Sequence, residues 1–97
     1  MPVKVIIPTP LRPYAAKLES VELQADTVGE ALNALTAKFQ DLRKHLYGED
    51  GRLRSFVNVY VNDEDIRFLE KEKTAIRQGD IISIIPSIAG GAARLGR

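Results

Sequence analysis

The sequence predicts an α+β fold of two layers, with one main helix packed on a small mixed sheet of four to five strands. Three observations predict it. Apolar residues recur at steps of three and four over 28–47. Short β-branched runs stand on both sides of that segment, and turn residues separate them. The expected order is ββαβ, a short strand, then a final strand.

Residues 3–7 (Val-Lys-Val-Ile-Ile) read as the first strand, stopped by Pro8. Pro8, Pro10 and Pro13 predict a stiff, extended connection. Over 17–24 the pattern partly alternates. Val21 and Leu23 share one face, Glu22 and Gln24 the other, and Leu18 is off register. This is the second strand.

Thr27-Val28-Gly29-Glu30 fits a capping box, with Thr27 as N-cap and Glu30 at the third helical position. Val28, Ala31, Leu32, Leu35, Phe39, Leu42 and Leu46 then form the apolar stripe of one helix over 28–47. Lys44 and His45 sit near its end, where positive charge is favoured, and Gly48 is the expected C′ residue. His45 is therefore read as a helix-end cation.

Residues 49–54 read as a loop. Val57, Val59 and Val61 alternate with Asn58 and Tyr60, which predicts a strand over 56–61. Asn62-Asp63-Glu64-Asp65 is turn chemistry rather than a calcium loop, since the twelve-residue pattern is missing. A short strand is expected over 66–69, and Gln78-Gly79-Asp80 is a further turn. Residues 81–85 are the most apolar β-branched run of the chain, broken only by Ser83, and suit a strand in mid-sheet.

The composition narrows the function. There are 97 residues, enough for one domain and too few for a deep cleft between two. Lys and Arg number 14, Asp and Glu 13, and the signs are interleaved, as in Glu64-Asp65-Ile66-Arg67. Nucleic acid requires a concentrated basic face, which the sequence does not offer. Cysteine is missing and His45 is the one histidine, so thiolate chemistry and a histidine–cysteine metal cluster are not expected. No Ser-His-Asp set or Gly-rich phosphate loop is present, so an enzyme is not expected and neither is a bound cofactor. No run approaches the ~20 apolar residues of a membrane span. The first residues lack the apolar core of a secretory signal. The cytoplasm is the expected location.

After Pro86 come Ser87-Ile88-Ala89-Gly90-Gly91 and then Ala92-Ala93-Arg94-Leu95-Gly96-Arg97. The stretch Phe-Val-Asn-Val-Tyr-Val-Asn-Asp-Glu-Asp-Ile-Arg-Phe from Phe56, the Gln78-Gly79-Asp80 turn and Ile84-Ile85-Pro86-Ser87-Ile88-Ala89-Gly90-Gly91 resemble the ubiquitin-like, β-grasp sulfur carriers. These include the thiamin and molybdopterin carriers and, most closely, carriers of the bacterial cysteine-synthesis type. The resemblance covers nearly the whole chain up to Gly91. It implies a β-grasp domain over 1–86, a flexible tail over 87–91 and a removable extension over 92–97.

The resemblance also implies the chemistry. Gly91 is the residue adenylated by a ubiquitin-activating-type enzyme that uses ATP, and then converted to a thiocarboxylate. Gly90 and Ala89 thread the partner's channel, since glycine has no Cβ to obstruct it. Five residues reach at most ~17 Å at ~3.3–3.6 Å each. In mature carriers the second glycine is last, whereas here six residues follow it. The resemblance therefore implies cleavage between Gly91 and Ala92 by a zinc peptidase of the JAMM class; the alternative is a retained extension and a drifted function. A sulfur-acceptor biosynthetic enzyme is the remaining implied partner. Ile85, Pro86 and Ile88 are either plain packing residues or part of the docking surface. Two other functions stay open: a modifier joined to lysines through Gly91, and a non-covalent binding module with a vestigial tail.

Overall fold

The β-branched runs pair into one mixed sheet of five strands. The computed structural model describes residues 2–86. Strand β1 (Pro2–Ile6) pairs antiparallel with β2 (Ser20–Gln24) and parallel with β5 (Ile81–Pro86). On its other side β5 pairs antiparallel with β3 (Val57–Val61), which carries the two-residue edge strand β4 (Glu64–Asp65). The order across the sheet is β2-β1-β5-β3-β4. The apolar run after the Gly79 turn is thus the central strand, as its composition predicts.

Strand alternation decides which face is covered. Val3, Val5, Val57, Val59, Val61, Ile82 and Ile84 all point to the buried side. Val28, Ala31, Leu32 and Leu35 meet them from the helix layer, and all four are fully buried. Among the described residues no helix lies on the opposite face, where Lys4, Ile81 and Ile85 are exposed.

The helix layer departs from the expected single helix. It comprises α1 (Val28–Lys38) and α2 (Gln40–Leu46), with a break at Phe39, whose φ of −124° and ψ of 84° are not helical. One turn earlier the Thr36 hydroxyl donates to the carbonyls of Leu32 and Asn33, a bonding pattern that bends helices. The break leaves Leu42 and Leu46 fully buried and Phe39 partly so. The start is as expected: Thr27 Oγ1 accepts from the Glu30 N–H at 3.2 Å. The returning bond is displaced by one residue, because the Glu30 carboxylate accepts from the Asp26 N–H. Gly48 is not a left-handed C′ residue. Its N–H donates to the Arg52 carbonyl, closing a small loop.

Two connections also differ, and a third, the turn expected over 62–65, is confined to its first two residues. The proline segment is a 3-10 helix over Thr9–Tyr14 rather than extended, because proline's fixed φ suits either conformation. The Arg12 guanidinium holds its start by donating to the Ile7 carbonyl at 3.0 Å. Ile66–Phe68 is a 3-10 turn and not a strand, since the pairing ends at Asp65, whose side chain caps the turn. Asn62 and Asp63, with φ of 49° and 77°, form the two-residue hairpin turn whose twist matches the flanking strands.

Two turns are tied together beneath the sheet's end. Asn62 Nδ2 donates to Asp80 Oδ1 at 2.9 Å, and Asn62 Oδ1 accepts from the Ile81 N–H at 3.0 Å. The Arg77 N–H donates to Asp80 Oδ2 at 2.8 Å. The bond from Asn62, then that from Arg77, holds the Asp80 carboxyl below its usual 3.8.

Two outcomes follow. Leu35→Ala should lower the unfolding free energy in urea melts by ~2–5 kcal/mol, since Leu35 is fully buried against the sheet. For Asp80, a folded pKa below the unfolded one means that its stabilisation is present above the usual 3.8 and is lost as pH falls through the lower folded value. Melts between about pH 5 and about pH 2 should therefore show a shallower loss of stability in Asp80→Asn than in the parent.

Candidate functional site

The open face of the sheet is built by the residues that alternate with the core. On β5 these are Ile81, Ser83 and Ile85. The register sets Ile85 beside Asn58 and Ser83 between Ile6 and Tyr60, with Ile81 beside Lys4. Ile85 is 50% exposed and Ile81 41%. Both are β-branched residues on the central strand, Ile81 paired with Lys4 of β1 and Ile85 with Asn58 of β3.

A charged pair borders this face. The Arg67 guanidinium, on the 3-10 turn after β4, donates to Asp65 Oδ2 at 2.9 Å and also to Asn58 Oδ1. The hydrogen bonds from Arg67 hold the Asp65 carboxyl below its usual value and push the Arg67 pKa up. Arg67 therefore stays charged in a fixed position next to the residue facing Ile85. Its neighbour Phe68 is 87% exposed.

A second feature lies at the root of the tail. Pro86 pairs with Val57 at the end of the sheet and lines an open groove together with Leu11, Phe56, Lys44, His45 and Arg54. Tyr14 stacks on His45 with ring centroids 4.0 Å apart.

Of the sequence-predicted docking residues, Ile85 projects from the open face and Pro86 lies at the groove. Ile88, Ala89, Gly90, Gly91 and Ala92 lie outside the described residues. Asp63, Glu64 and Asp65 form the hairpin and the cap described above. Among the described residues no three His, Cys, Asp or Glu side chains come together as a metal site. No described helix is long and apolar enough to cross a membrane. Arg67 and Arg54 were not singled out by sequence, where each sits in a run of ordinary surface charge.

Known proteins share this architecture. The family model described as the ThiS family matches residues 5–91. The chain belongs to the ThiS family. Its fold is accordingly the β-grasp of ubiquitin-like proteins, as the resemblance implied. Sulfur carrier protein CysO of Mycobacterium tuberculosis is 43% identical over 93 residues, covering 94% of this chain and all of that one. In the crystal structure of the Amycolatopsis orientalis BexX/CysO complex, the similar chain is 38% identical with a TM-score of 0.83, over 92% of this chain and 99% of that one. Small archaeal modifier protein 1 of Haloferax volcanii is 27% identical with a TM-score of 0.79, over 90% and 98% of the two chains. ThiS-family relatives of this chain are thus named as carriers and modifiers.

The two faces of β5 should respond differently to charge. Ile85→Asp should cost only ~1–2 kcal/mol, from strand preference and the half of the side chain that is buried, and leave the chain folded. Ile84→Asp should leave the chain unfolded by circular dichroism, because its carboxylate would be buried without a partner.

Proposed function

We propose that this ThiS-family chain is a precursor whose working end is Gly91. A JAMM-class zinc peptidase hydrolyses the Gly91–Ala92 bond and frees the Gly91 carboxylate. A ubiquitin-activating-type enzyme joins that carboxylate to the α-phosphorus of ATP, with pyrophosphate leaving. The mixed anhydride removes the negative charge that otherwise repels nucleophiles. A sulfur nucleophile supplied by the partner system then attacks the acyl carbon, AMP leaves, and a thiocarboxylate results. A biosynthetic acceptor enzyme takes the sulfur, all in the cytoplasm. The chain is a cosubstrate throughout; ATP binds to the partner.

The observation that carries this reading is the extent of the family match. It runs through Gly91 and stops there, while six residues follow in the sequence. Support for a docked partner comes from the Amycolatopsis orientalis CysO, solved in complex with BexX. In this chain the surface suited to docking is the open face around Ile85, with Arg67 at its border. Ile88→Asp should weaken the complex with the adenylating enzyme and leave the fold intact. Similarity to a small archaeal modifier protein favours one second reading, conjugation of Gly91 to lysines. Isopeptide-linked peptides in mass spectra of cell extracts would mark it.

The test compares chain ends. Full-length protein should give no Gly91 adenylate with ATP and the cognate enzyme, as read by ATP–pyrophosphate exchange. The chain ending at Gly91 should react, and the chain ending at Gly90 or carrying Gly91→Val should react poorly. Equal sulfur transfer by full-length and Gly91-ended protein, without peptidase, would sink the precursor reading.

A further inference from the structure

Where β5 ends, the sheet and the helix layer enclose a groove of about 460 Å³. Its floor is apolar, from Leu11, Phe56 and Pro86, and its rim is basic, from Lys44, His45 and Arg54. Among the described residues no carboxylate lines it. Arg54 is held in place: its Nε donates to the Lys44 carbonyl at 3.0 Å, and its guanidinium lies 5.9 Å from the centre of the Phe56 ring. The one ion pair among the described residues is Arg67–Asp65, so neither Lys44 nor Arg54 is neutralised by a described carboxylate. His45 adds an independent signal. Its Nε2 is buried and has no hydrogen-bond partner, while its ring is fixed against Tyr14.

We propose that this groove binds the chain's own processed tail, residues 87–91, with the Gly91 carboxylate on Lys44 and Arg54. The proposal rests on the trimming reading given above. The connection favours this occupant, because Pro86 is itself a wall of the groove and the tail begins there. Length also allows it, since five residues reach at most ~17 Å. The chemistry is complementary: Ile88 suits the apolar floor, and a carboxylate suits the basic rim of Lys44 and Arg54. Charge supplies the selectivity. The trimmed end is an anion suited to a basic rim, whereas in the uncut chain Gly91 is in a peptide bond with Ala92 and has no carboxylate, and basic residues Arg94 and Arg97 follow. The groove therefore distinguishes processed from unprocessed protein and parks the processed end until a partner draws it out.

Amide NMR of nitrogen-15-labelled protein tests this without ATP, peptidase or partner. Among the described residues the buried core runs from Val3 to Ile84, and a chain ending at Gly91 keeps all of it. Relative to full-length protein, that chain should show shifted amide signals at Leu11, His45 and Phe56 and raised heteronuclear NOE values at Gly90 and Gly91. Lys44→Glu, an exposed substitution, should reverse both changes. Groove signals that are the same in the two chains, or shifts that persist in Lys44→Glu, would overturn the proposal. Adenylation assays report on the carrier reading separately, so either idea can fail while the other stands.

Discussion

The parallel pairing of β1 with β5 is the constraint on which the rest of this molecule depends. It joins the two ends of the domain, with Lys4 opposite Ile81 and Val5 opposite Ile82. Parallel neighbours cannot be linked by a tight hairpin and need a crossover, which here contains the helix layer. The crossover covers one face of the sheet, and among the described residues it puts no helix on the other. It also makes the last strand the central one. The first half of β5 is flanked by β1 and β3, and its last residues, Ile84 to Pro86, are held by β3.

Most of this was legible in the residues, and the failures have physical causes. The valines of β3 and the isoleucines of β5 announce their faces by a period of two, and Thr27 with Glu30 announces the helix start. The helix break at Phe39 was not legible because Leu35, Phe39, Leu42 and Leu46 keep a spacing of four, three and four through it. Apolar periodicity reports the buried side and is silent on hydrogen bonds. What marks the break is local bonding by Thr36, which only coordinates reveal. The proline segment failed for a related reason: a fixed φ leaves ψ undecided.

The site divides along the same line. The strand that carries Ile85 was legible because it is a single run of sequence. The groove was not, because Leu11, Lys44, Arg54 and Pro86 come from four separate segments that only the fold brings together. Arg67 was hidden differently. In sequence it is one charge among alternating signs, and interleaved charge normally means solvated surface. Its position against Asn58 becomes evident once the hairpin turns the chain back along β3.

An open apolar face on the central strand adds little to folding, so its energetic use lies in association. Burying an isoleucine fully is worth ~1.5–3 kcal/mol. Ile81 and Ile85 are already about half buried, which leaves roughly 1 kcal/mol each for a partner to gain. Such a surface supports docking without locking the complex. That suits the proposed carrier, which must leave a peptidase, an activating enzyme and an acceptor in turn. Orientation then comes from Arg67, a charge held by Asp65 and Asn58, whose position costs no further side-chain entropy on binding. On the proposed reading the body needs only weak, well-aimed contacts, because the covalent chemistry would be carried at Gly91 and performed by whichever enzyme receives it.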